Sequence, residues 1–148
     1  MSNRLETLMR KCGRILQDQQ IARLFKVPEE MQQTPCDFFG YTRTGRAILI
    51  ECKMVKRTAL PIGDSPGLQP HQWCELEDAH RAGALSLIAW SPSPEAVAVF
   101  SWAQAAQWAA GRASIPWKGI PTALHRDLTD MGAASLLSWW LPPISAAK

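Results

Sequence analysis

Residues 84–90 (ALSLIAW) form an apolar run of strand length with no polar alternation. That pattern is consistent with a strand buried in the middle of a sheet. The rest of the chain falls around it. Leu5, Leu8, Met9, Cys12, Ile15 and Leu16 recur at the spacing of an amphipathic helix. Ser2 or Asn3 is placed to cap it, and it is expected to run on towards Phe25, limited by Pro28. No separate strand is read in residues 21–35. Residues 36–41 (CDFFGY) and 46–53 (RAILIECK) read as a hairpin, with Gly45 available for a positive φ in the turn.

Residues 54–69 hold two Pro and two Gly and read as a loop. Pro70 suits the first position of a helix, where a missing N–H costs nothing, and Gly83 ends that helix. After 84–90 come an SPSP turn, a strand over 96–102, a helix over 103–110 ended by Gly111, a loop around Trp117, and a helix over 127–140 stopped by Pro142 and Pro143. The expected fold class is therefore α/β, a mixed central sheet flanked by helices. At 148 residues, one domain is expected over 1–148, with its core at about 34–102 and a helical extension at 103–148.

Hydrophobic residues make up 47% and charged residues 20%, which excludes a disordered chain. Charge is uneven: residues 1–68 hold 11 basic and 7 acidic side chains, whereas 69–148 hold 5 and 6. A basic front half hints at an anionic partner, against the plain alternative of a mixed solvated surface. There is no signal-peptide core and no apolar run of membrane-spanning length, so a soluble protein with no membrane partner is expected, in the cytoplasm of a bacterium or a phage-infected host. No CxxC pair occurs; His71 and Cys74, three apart, make only a weak case for zinc.

The chemistry concentrates in residues 34–72. Glu51 and Lys53 sit two apart on one strand and so share a face. They end an apolar strand, and buried charge is costly unless paired or bound to metal. The hairpin can bring Asp37 beside Glu51. Two adjacent carboxylates favour a divalent cation. An Asp37–Lys53 cross-strand salt bridge is the plain alternative.

A Pro-x-Asp followed by a strand ending Glu-x-Lys resembles the PD-(D/E)xK nuclease superfamily. The wider string TPCDFFG, GRAILIECK, a Leu-Pro loop, His71–Gln72, a helix and ALSLIAW resembles RecU-type Holliday junction resolvases, in a compact, phage-like form. The resemblance covers roughly residues 34–91. It implies a restriction-endonuclease-like αβββαβ core, a homodimer, and Mg²⁺-dependent cutting of four-way or branched DNA, with Mn²⁺ as a substitute. Asp37, Glu51 and the backbone carbonyl of Cys52 would hold the metal. Lys53 would orient or activate the attacking water, and Gln72 would lie near the metal and join the catalytic set. Glu6 is read either as a solvated helix residue or as a ligand of a second metal.

Arg43, Arg46, Lys56, Arg57 and His71 are candidate DNA contacts, each with a solvated or capping role as the alternative. The segment 54–67 stands where the family has a junction-contacting region. Trp117, Trp139 and Trp140 are expected either in the core or at a dimer contact. Two rival functions stay open. One is a PD-(D/E)xK nuclease for another DNA substrate, of restriction or repair type. The other is a DNA-binding module that does not cut.

Overall fold

A computed structural model describes residues 4–28, 36–64 and 66–141. The expected cap at Ser2 or Asn3, the Pro35 of the Pro-x-Asp motif, and the stop at Pro142 and Pro143 lie outside the described residues. Helix α1 (Arg4–Asp18) leads into β1 (Ala22–Lys26), β2 (Phe38–Thr42) and β3 (Ala47–Lys53). Then follow β4 (Ala59–Pro61), α2 (Pro70–Arg81), β5 (Leu85–Ser93), β6 (Ala96–Ser101), α3 (Trp102–Trp108), β7 (Ser114–Pro116), β8 (His125–Asp127) and α4 (Asp130–Trp140), with two short 3₁₀ turns between β7 and β8.

The main sheet has six strands in the order β1-β2-β3-β5-β6-β8. β3 and β5 are parallel and joined through α2; the other pairs are antiparallel. The expected mixed α/β sheet flanked by helices is what forms. The elements α1, β1, β2, β3, α2 and β5 run in the αβββαβ order that the resemblance implies, with β4 inserted after β3.

A strand, β1, stands in residues 21–35, where none was expected. Helix α1 ends at Asp18, well short of Phe25, and the chain reverses through Gln20, whose φ is +58°. β1 is an edge strand and only Ala22 on it is buried, so it shows no apolar alternation to reveal it. Its close pairing with β2 depends on Gly40: a Cβ there would stand 1.8 Å from the Arg23 carbonyl oxygen. The hairpin forms as expected, with Gly45 at φ +89°.

The expected helical extension also needs correction. β8 adds the sixth strand, against β6, and β7 pairs with β4 in a separate two-stranded sheet, so residues 103–141 complete the sheets as well as adding helices. Both strands are three residues long, too short for a periodic signal.

Alternation along the strands divides the core between two faces. Phe38, Ile48, Ile50, Leu87 and Val99 pack under α1 and α4. Ile88, Trp90, Ala98 and Phe100 pack with residues of α2, α3 and the β4–β7 sheet. Trp90 is wholly buried, and its indole N–H donates to the Val55 carbonyl at 3.0 Å. β5 is thus covered on both faces over Leu85–Ser91, as its sequence required.

Candidate active site

The C-terminal end of β3 lies between the start of β2 and the first turn of α2, and each neighbour contributes a side chain. The Asp37 backbone N–H donates to the Ile50 carbonyl at 3.0 Å, which sets Asp37 across from β3. Its carboxylate Oδ2 then accepts from the Cys52 backbone N–H at 2.7 Å. N–H and C=O of one strand residue point to the same side, so the Cys52 carbonyl belongs to the side on which Asp37 stands. Glu51 is buried, and its Oε1 lies 3.5 Å from Lys53 Nζ.

Gln72 Nε2 donates to Glu51 Oε1 at 3.0 Å, while Gln72 Oε1 accepts from the Gln69 N–H at 2.9 Å. Both ends of that amide are engaged, which fixes Gln72 beside Glu51. Pro70 starts its helix two residues earlier, as expected.

Glu6 is not solvated. It is buried on α1, and its Oε1 lies 3.2 Å from Lys26 Nζ. Lys26 also donates to the Val27 carbonyl at 2.9 Å. Its charge acts on Asp37, Cys36 and Cys52, and that of Glu6 acts on Asp37 and Cys52, so this pair borders the site. Lys26 went unnoticed in the sequence because it lies on β1, the unread strand.

The electrostatics follow from burial. The carboxyl of Glu51 is pushed up to about 8, first by desolvation and then by the neighbouring Asp37 charge. Asp37 is raised too, mainly by burial, against the lowering effect of the Cys52 N–H. The two groups form a buried carboxyl pair, and both hold their protons more tightly than free side chains do. Burial likewise pushes the Cys36 thiol up to about 12 and raises that of Cys52, so neither is a thiolate nucleophile.

A divalent cation suits this set. Two hard carboxylate oxygens that repel one another, with a backbone carbonyl on the same side, match the few protein ligands Mg²⁺ needs. Asp37 and Glu51 remain the carboxylate pair; among the described residues no group of three His, Cys, Asp or Glu is arranged to hold a metal. His71 and Cys74 are both exposed on α2 and belong to no such group.

The basic candidates divide. Lys56 and Arg57 are exposed just beyond Lys53, at the same end of β3, and His71 is exposed beside Gln72. Arg43 and Arg46 stand at the hairpin turn instead. Five strand residues separate Arg46 from Glu51, about 17 Å, and the Arg46 Nε donates to the Gly83 carbonyl at 3.1 Å. They do not flank the carboxylates.

Trp117 stacks on His125 at 4.2 Å and meets Trp90 edge-on, and Trp140 donates to the Val99 carbonyl. Both are partly buried and pack against the core, whereas Trp139 is exposed on α4. No helix among the described residues is long and apolar enough to cross a membrane.

Neither the family models nor the curated proteins give a match. Among solved structures, the chain is similar to Archaeoglobus fulgidus Hjc, a Holliday junction resolvase from an archaeal hyperthermophile. The identity is 19% and the TM-score 0.46, over 66% of this chain and 76% of that one.

Proposed function

We propose that this chain is a divalent-metal-dependent endonuclease that resolves four-way DNA junctions, of the RecU type and acting as a homodimer. One observation carries the reading. Asp37, Glu51 and Lys53 meet at the end of β3, with Asp37 on the Cys52 N–H and Glu51 on the Gln72 amide. An ordinary salt bridge would pair Asp37 with Lys53; here Lys53 is beside Glu51.

Asp37, Glu51 and the Cys52 carbonyl would hold Mg²⁺ or Mn²⁺. The cation supplies polarisation of the scissile phosphate and a lowered pKa for bound water. The chain's own residues do the rest. The Cys52 N–H fixes one Asp37 oxygen, and the Asp37 and Glu51 carboxyls are in hydrogen-bond contact with one another. Gln72 and Lys53 both hold Glu51 by its Oε1. Lys53, anchored beside Glu51, orients the attacking water and offsets charge gathering on the phosphate. Glu6, paired with Lys26, stands behind Asp37 and is a further ligand only if Lys26 gives it up. Lys56, Arg57 and His71 supply phosphate contacts around the site.

The test is incubation with Mg²⁺ and end-labelled four-way junction, linear duplex or single strand. Paired nicks in the junction alone support the proposal. Equal cutting of linear duplex indicates a nuclease of restriction or repair type, and binding without cutting indicates a DNA-binding module.

A further inference from the structure

The sheet face that bears the carboxylates continues into an open aromatic surface. Directly opposed residues share a face. Phe25 opposes Phe39, Arg23 opposes Tyr41, and Phe39 opposes Leu49. Two residues along each strand from Phe39 and Leu49 stand Asp37 and Glu51. Helices α2 and α3 pack over this face at β3, β5 and β6. Among the described residues no helix packs over it at β1 and β2, and Phe39 and Tyr41 are 48% and 46% exposed.

The rings form a group: Phe25 lies 5.6 Å from Phe39 and 6.2 Å from Tyr41, and the Arg23 guanidinium sits 5.1 Å over Phe25. At the hairpin end, a cavity of about 310 Å³ opens between Tyr41, Arg23, Arg43, Gln17 of α1 and Gln20 in the turn after it. That is the size of a small-ligand site. Neither β1 nor β2 contains an acidic residue.

Aromatic rings laid along an open sheet, with arginines at their border, are what unpaired nucleotides require. Bases stack on rings whatever their identity, and guanidinium groups take phosphates. We propose that the open face of β1 and β2 is a track for an unpaired DNA strand. Bases stack on Phe39 and Tyr41, phosphates are held by Arg23 and Arg43, and the strand runs towards Asp37 and Glu51. From Tyr41 to Asp37 the track is roughly 13 Å long. The direction of the track rests on the nuclease reading; the binding itself does not.

A second copy of the chain is the other occupant with the right apolar chemistry. In a two-fold contact, however, this patch would pack against its own copy, gathering Arg23 and Arg43 of both copies at one interface with no acid on β1 or β2 to offset them. The charge therefore favours a polyanion. The track also gives Arg43 a place in DNA binding without flanking the carboxylates.

The experiment measures fluorescence anisotropy of a labelled twelve-residue oligothymidylate in EDTA, where no cutting takes place. Phe39→Ala with Tyr41→Ala should weaken binding by about ten-fold or more, with cooperative thermal unfolding retained. Phe39→Tyr with Tyr41→Phe should bind as wild type does, because stacking needs only the ring. Arg23→Ala with Arg43→Ala should lower the salt slope by about 1.4, the value for two phosphates on a single strand.

Wild-type affinity in the alanine pair, or no oligothymidylate binding by wild type, overturns the track. So does sedimentation showing that the alanine pair abolishes a dimer without altering DNA affinity. Failure of the nuclease reading looks different: no substrate is cut in Mg²⁺, while oligothymidylate binding and its dependence on Phe39 and Tyr41 persist.

Discussion

Replacing Glu51 with Gln should make the metal-free protein more stable above neutral pH, although it removes a group central to the site. An unfolded Glu ionises near 4.5, whereas the folded carboxyl holds its proton to about 8. Between those values the unfolded state binds fewer protons than the folded state, so stability falls as pH rises. Below pH 4.5 both states are protonated and no penalty arises. Above pH 8 both are ionised, and the penalty is complete.

A carboxyl moved from 4.5 to about 8 is worth at most about 5 kcal/mol. For a chain of this length that is on the order of 10 °C in melting temperature. Gln carries no titrating proton, and its side-chain oxygen can still accept from Gln72 Nε2. The variant should therefore lack this component of the pH dependence.

The assay is thermal unfolding by circular dichroism in EDTA at pH 5, 6.5 and 8. The two proteins should melt closest together at pH 5, and the variant should gain on wild type steadily to pH 8. Mg²⁺ at pH 8 should then raise the melting temperature of wild type, since a ligand of the folded state stabilises by mass action, and leave Glu51→Gln nearly unmoved. Parallel pH profiles for the two proteins would refute the buried, proton-holding pair. A Mg²⁺ shift of equal size in both would remove Glu51 from the ligand set.

Asp37→Asn should abolish junction cleavage yet leave junction affinity within a few-fold, because phosphate contacts dominate affinity; retained cutting in a gel assay would displace Asp37 from the site. Lys56→Ala with Arg57→Ala should weaken binding to junctions of any sequence and reduce the salt slope, read from titrations between low and moderate salt. Gly40→Ala should cost about 3 kcal/mol in urea melts, because the added methyl meets the Arg23 carbonyl; an unchanged midpoint would mean that β1 can swing away freely. The homodimer expectation is checked by sedimentation at micromolar protein without DNA, and by a supercoiled cruciform plasmid. Resolution by two fixed sites gives linear product with little nicked circle.

What the sequence disclosed and what it hid have one physical origin. β5 and β3 are buried central strands, and burial leaves apolar runs in the sequence that resist other interpretations. Glu51 and Lys53 were conspicuous for the same reason: charge at the end of such a run needs an explanation. Pro70 and Gly83 marked α2 because each has a local backbone role. β1, β7 and β8 were hidden because their reason for being strands lies in their partners. β1 buries only Ala22 and is held by pairing to β2, with Gly40 permitting the close approach. Lys26 was hidden with it, and so was the burial of Glu6, since no helical pattern reveals a carboxylate whose partner lies on an unread strand. The aromatic track belongs to the same class. Phe39 and Tyr41 alternate with buried residues along β2, so their spacing alone does not say which face is covered. Only the sheet order, with α2 and α3 packed over β3, β5 and β6, leaves those rings open beside the carboxylates.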